Sequence, residues 1–96
     1  MATVSIIIPV LNEADNLPLL FDNINRLNPN PQQVIVVDGG SNDDSIDIIQ
    51  SFINELILDN NRKIDWQMTE SKAGRALQMN TGAALATGEV LLNLLV

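Results

Sequence analysis

The sequence predicts a single α/β domain: a mostly parallel, right-handed wound sheet with the element order βαβαβαβ. Three observations carry this. Short runs such as Val4-Ser5-Ile6-Ile7-Ile8 and Val34-Ile35-Val36-Val37 are apolar and β-branched, as suits strands buried on both faces. Stretches of helical periodicity alternate with them, which requires crossover connections and places helices on both faces of the sheet. Ninety-six residues are enough for one domain with a modest core and too few for two.

Taken in order, the first strand covers Val4 to Ile8, and Pro9, lacking an N–H, is expected to close it. A helical pattern begins at Glu13 and sets Leu17, Leu20, Phe21, Ile24 and Leu27 on one face, with Pro18 tolerable in the first turn. Asn28-Pro29-Asn30-Pro31 breaks it. The second strand, Val34 to Asp38, runs into the tight turn Gly39-Gly40-Ser41-Asn42, where Ser41 and Asp44 have the spacing of a capping box. The next helix shows Ile46, Ile49, Phe52 or Ile53, and Leu56 at helical spacing, and Asp59 to Lys63 is a polar loop. Ile64 to Met68 alternates and reads as a half-exposed edge strand. A third, Ala-rich helix is expected from about Gly74 to Thr87, with Gly82 on a thin face that packs on the sheet and Gly88 as its C′ glycine. Val90 to Val96 is the fourth strand.

Composition narrows the chemistry. The chain has no Cys and no His, which excludes disulfides, thiolate nucleophiles and the serine-histidine triad, and leaves only hard, oxygen-seeking metals. A net charge of −7 argues against nucleic acid and against anionic membranes. No signal-peptide pattern opens the chain, and no apolar run approaches the roughly 20 residues of a membrane span, so a cytoplasmic location is expected.

Sheets of this kind take ligands beyond the carboxyl ends of their strands. Two readings are open for Asp38 at the end of the second strand: a ligand's hydrogen-bond acceptor, or a cap for the following turn and helix. Gly39 and Gly40 allow close backbone approach, without forming a dinucleotide fingerprint or a P-loop. Lys72 and Arg75 are two of only five basic residues and flank Gly74 where a helix begins, which suits a phosphate or diphosphate; an ordinary solvated loop is the other reading. Glu13 is readable as a first-turn carboxylate, and Asn80 as a packing or surface residue of the third helix.

The stretches "SIIIPVLNEADNLPLL", "VIVVDGGSNDDS" and "KAGRALQMNTGAALATGEVLL" together resemble the start of a family 2 glycosyltransferase, closest to a bacterial subgroup with a GRARQMN-like motif. The resemblance covers nearly the whole chain. It implies the Rossmann-like N-terminal half of a GT-A fold and a nucleotide-sugar donor, with UDP favoured. By that resemblance Pro9, Leu11 and Glu13 flank the nucleoside, with Leu11 in place of a frequent aromatic residue. Asp38 meets the base at the uracil N3–H, Gly39 follows it in a D-G-G-S variant, Lys72, Gly74 and Arg75 pass near the diphosphate, and Asn80 matches an Asn of the next helix.

The resemblance also implies a divalent ion, Mg²⁺ or Mn²⁺, held by an Asp-x-Asp or His-Ala-Asp motif after the fourth strand. Leu95 and Val96 take its first two positions, its last Asp would be residue 97, and Asn93 stands where an apolar residue is usual. The expectation is therefore one truncated nucleotide-binding half-domain over residues 1–96 that binds a nucleotide and does not transfer sugar alone. The alternative is a non-catalytic structural or interaction protein on the same fold, and a homo-oligomer is expected because the wound sheet leaves an uncovered edge. A phosphoacceptor receiver-like domain would need acidic residues where Pro9 stands.

Overall fold

A computed structural model of the chain describes residues 3–59 and 63–93. The elements are β1 (Val4–Val10), α1 (Leu17–Asn25), β2 (Gln33–Asp38), α2 (Ser45–Asp59), β3 (Asp65–Glu70), α3 (Arg75–Leu85) and β4 (Val90–Asn93). The strands form one sheet in the order β3-β2-β1-β4, every neighbouring pair parallel. β1 and β2 are the central pair, and their side chains divide between two apolar layers. Ile6, Ile8, Val10, Val34 and Val36 pack with α1 and α2. Ile7, Ile35 and Val37 point the other way, toward Met79 of α3. Burial on both faces is why these runs carry no polar alternation.

The chain steps from β1 out to β3 and then returns to the far side of β1, so the winding reverses at β1. In open α/β sheets a reversal of this kind leaves a crevice beyond the strand ends. Everything that positions the site hangs on that edge. The α1/α2 layer is braced by all three aromatic residues of the chain: the ring centroids of Phe21, Phe52 and Trp66 lie 4.8–5.3 Å apart, joining α1, α2 and β3. Trp66 also donates its indole N–H to Asn25 Oδ1 at 3.2 Å. β3 is an edge strand, as its half-exposed pattern predicts.

Local expectations are corrected at four places. Pro9 does not end β1; the strand runs to Val10, with Pro9 in register with Val37. Val10 turns its backbone carbonyl toward β2, where Gly39 N–H meets it at 2.9 Å. Pro9 therefore turns its missing N–H toward β4, on a side where the described ladder ends at Ile7 and Asn93. α1 starts at Leu17 rather than Glu13, with Pro18 in its first turn, and it ends before Leu27, which is exposed. The capping box of Ser41 and Asp44 does not form, because the Ser41 hydroxyl is drawn to Asp38 and Asp43 takes the N–H of Ser45. Gly88 is not the C′ residue of α3, whose C-cap is Ala86; a Cβ on Gly88 would stand 2.6 Å from Ser5 Oγ, so its glycine serves close approach to β1. The positions expected for the metal motif, Leu95 and Val96, lie outside the described residues.

Gly82 does give α3 its thin face. A Cβ there would sit 2.5 Å from Ile7 Cγ2 and 3.2 Å from Val37 Cγ2, both fully buried residues of the central strands. Gly82→Ala gains about 1 kcal/mol of helix propensity but forces overpacking that costs about 1–3 kcal/mol. The expected result is a lower urea midpoint with an unchanged m-value; an unchanged or higher midpoint contradicts this packing.

Candidate functional site

At the carboxyl ends of β1 and β2, two loops are laced together by side-chain and backbone hydrogen bonds. Asn12 N–H donates to Ser41 Oγ at 2.9 Å, and Asn42 N–H donates to Asn12 Oδ1 at 2.7 Å. Glu13 N–H donates to Ser45 Oγ at 2.9 Å, and Ala14 N–H to Asp43 Oδ2 at 3.1 Å. Asn12 adopts φ 53°, a left-handed conformation that Asn tolerates better than most residues. Backbone N–H groups that leave a buried strand without ladder partners are thus met by short polar side chains from the neighbouring loop.

Asp38 stands inside this lattice and is fully buried. Its Oδ2 accepts the N–H groups of Gly40 and Ser41 at 2.8 and 2.9 Å, and its Oδ1 accepts the Ser41 hydroxyl at 2.6 Å. A carboxylate offers about four acceptor positions, so three bonds leave roughly one, on Oδ1. The turn-capping reading of Asp38 is therefore realised, and one acceptor position remains beside it. Gly40, at φ 99°, supplies the left-handed step that brings the chain back over the carboxylate.

The third strand end joins through the backbone: Ser71 N–H donates to Asp38 O at 2.9 Å. Lys72 and Arg75 follow, both exposed, and the ion pair found among the described residues, Arg26 with Asp22, involves neither. Gly74 is the N-cap of α3 at φ 136° and has no side chain to cap the helix. The first helical bond runs from Gln78 N–H to Gly74 O at 2.9 Å, which leaves the N–H groups of Arg75, Ala76 and Leu77 without partners inside the helix. Two cations and free N–H groups make this corner the anion-attracting part of the rim.

The structure thus gathers Pro9, Leu11, Asp38, Gly39, Lys72, Gly74 and Arg75 at one edge. Leu11 is 43% exposed just beyond β1. Glu13 lies in the turn before α1, not in its first turn, and its Oε2 accepts from Asn16 Nδ2 at 2.7 Å. Asn80 is exposed and points away from the sheet, since Gln78 and Gly82, two residues to either side, are the buried ones. A groove of about 760 Å³ runs between α1 and α2, lined among others by Pro18, Asp47 and Phe52, and none of the expected site residues lines it.

Sequence reasoning missed Asn12, Ser41, Asp43, Ser45 and Gln78 as site-building residues. Asn12, Ser41, Asp43 and Ser45 sit in stretches that the motifs already mark, but their bonds span about 30 positions of sequence and leave no local period. Gln78 lies within the GRALQMN stretch that carries the resemblance, but no local period marks its side chain as buried against the strand ends. Among the described residues no three of His, Cys, Asp or Glu are grouped to hold a metal ion, and the motif positions that the resemblance implies for the divalent ion lie outside them.

A parallel sheet in 3-2-1-4 order, with its loops gathered where the winding reverses, is the architecture of the N-terminal part of GT-A glycosyltransferases. Residues 5–94 match Glycosyl transferase family 2, and the chain belongs to that family. Over 88 residues it is 41% identical to a PGL/p-HBAD biosynthesis glycosyltransferase of Mycobacterium tuberculosis, covering 92% of this chain and 32% of that protein. It is 40% identical over 55 residues to an undecaprenyl-phosphate 4-deoxy-4-formamido-L-arabinose transferase of Yersinia enterocolitica, 54% of this chain and 17% of that one. A mannosyltransferase from Pyrobaculum calidifontis, solved with GDP-Man and Mn²⁺, matches with a TM-score of 0.80 at 26% identity over 94% of this chain and 26% of its own. S. aureus TarS shares the fold, with a TM-score of 0.75 at 21% identity, over 97% of this chain and 16% of its own. The chain thus spans about a third of the length of the M. tuberculosis glycosyltransferase it matches.

Asp43 reports on the lattice directly. Its carboxyl is held below the ordinary value of 3.8, chiefly by the hydrogen bond to the Ser45 side chain; desolvation opposes this, and the Ser45 and Ala14 N–H groups add to the lowering. A depressed folded-state value means that the stabilisation is present above the ordinary value and is lost as pH falls through the depressed one. The Asp43 carboxyl carbon is expected to titrate with a midpoint below 3.8. Exchange of the Ala14 amide should show an extra acid-induced acceleration below that midpoint, absent in Asp43→Asn. A midpoint at or above 3.8 would contradict the hydrogen-bonded geometry.

Proposed function

We propose that this chain is the nucleotide-binding part of a nucleotide-sugar-dependent glycosyltransferase, taking the nucleotide beyond the ends of β1 and β2. The observation that carries the reading is the pairing, at one edge, of a buried carboxylate with an acceptor position to spare and a cationic helix N-terminus. Asp38 Oδ1 would accept a base N–H, which the N3–H of uracil supplies and which favours UDP. Pro9, Leu11 and Gly39 would flank the nucleoside, with Leu11 offering an apolar surface without an aromatic ring. Glu13 would support this segment through its backbone. Lys72, Gly74 and Arg75 would receive the diphosphate. The mannosyltransferase solved with GDP-Man lends support to a nucleotide-sugar ligand and makes GDP the competing ligand to test.

By this reading the role proposed for these residues is nucleotide binding. No helix among the described residues is long and apolar enough to cross a membrane, and a cytoplasmic location, where nucleotide sugars are drawn on, is part of the proposal. A homo-oligomer is a second reading. It draws on the open edge of β3 and on Leu19 and Leu58, which are 68% and 84% exposed. A monomer mass by light scattering at micromolar concentration would remove it.

Calorimetric titration of the chain with UDP and with GDP tests the main reading. Binding of UDP is expected, with Asp38→Ala and the size-preserving Asp38→Asn each weakening it by about tenfold or more. Lys72→Ala and Arg75→Ala should weaken it less and flatten its dependence on salt. Absence of binding, or full affinity in folded Asp38→Asn, overturns the assignment.

A further inference from the structure

We propose that Gln78 is the positioning residue of this site, and that Gly39 is a glycine so that the Gln78 amide can occupy its place; the proposal rests on the nucleotide reading above. Gln78 is buried at 4% exposure, three residues into α3. Its Nε2 donates both hydrogens, to Val10 O at 3.0 Å and Val37 O at 2.9 Å, the carbonyls at the ends of β1 and β2. Its Oε1 accepts the N–H of Gly74 at 3.3 Å. One planar amide therefore ties both central strand ends to the start of α3. On the proposed site these are the base end and the diphosphate end, and no other side chain among the described residues bonds to all three segments.

Gly39 is the complement. A Cβ on it would stand 2.9 Å from Gln78 Cδ and 3.0 Å from both Nε2 and Oε1. Its φ lies outside the left-handed region, so the backbone there accepts any residue and the constraint is space alone. A flexible side chain could usually swing aside, but this amide is held at three points and would lose its bonds by moving. Gln78 and Gly39 therefore act as one unit that sets the distance between the two ends of the ligand.

A ligand that touches only one end should be indifferent to that unit, whereas one that spans both should depend on it. Uridine and UDP are the probes. In Gln78→Met, which keeps the volume and loses the bonds, UDP affinity is expected to fall about tenfold while uridine affinity stays within about twofold. Gly39→Ala should also lower UDP affinity, and the double variant should bind UDP no more weakly than the weaker of the two single variants, as residues of one unit are non-additive. Amide exchange at positions 39, 40 and 74, whose N–H groups are hydrogen-bonded in this corner, measured without ligand, should accelerate in both single variants. Equal losses for uridine and UDP in Gln78→Met, additive effects, or unchanged exchange would overturn the proposal. If the wild-type chain binds no UDP, the nucleotide reading fails, and the exchange measurement still decides whether Gln78 and Gly39 hold the strand ends.

Discussion

The carboxyl ends of β1 and β2 leave a sheet that is covered by helices on both faces, and the backbone groups buried there, Val10 O and Val37 O among them, need partners from the protein. The rest of the site depends on how that constraint is met. Short polar side chains from the loop after one strand bond the backbone of the loop after the other, and the Gln78 amide bonds both strand ends. Among the described residues no buried side-chain nitrogen or oxygen is left without a partner. Fully satisfied networks in a low-dielectric setting are stiff, and a stiff rim is what a binding site needs if little ordering is to be done on binding.

Asp38 shows how structure and function share one group. Its carboxylate holds the Gly40–Ser41 turn and, through the Ser41 hydroxyl, the loop containing Asn12. The sequence alone leaves a capping role and a ligand role as competing alternatives. Three bonds do not exhaust two carboxylate oxygens, so the capping role by itself does not use up the acceptor capacity. Loss of Asp38 would therefore disturb the rim as well as any ligand contact, which is why the size-preserving Asn variant is the informative one.

The wound α/β order was legible from the chain because burial on both faces leaves uninterrupted apolar runs in β1 and β2, and Gly82 was legible because a glycine in an Ala-rich helix signals close packing. Boundaries were less so. Pro9 looked like a strand terminator, yet the side it turns its missing N–H toward is set by strand order, which no local pattern encodes. Gly88 had the spacing of a helix cap but serves contact with Ser5, 83 residues away. In the site, motif resemblance marked Asp38, Lys72 and Arg75, while Gln78 escaped because its bonds reach 68 and 41 residues back. Asn80 had a motif match and lies on the outward face of α3.

The central claim is that the ligand edge lies where these loops converge. Mapping amide chemical-shift changes in the isotope-labelled chain during titration with UDP tests it most directly. The account predicts that perturbed amides cluster at residues 10–13, 38–42 and 71–78. Perturbations confined to the groove between α1 and α2, or none at saturating nucleotide, would contradict it.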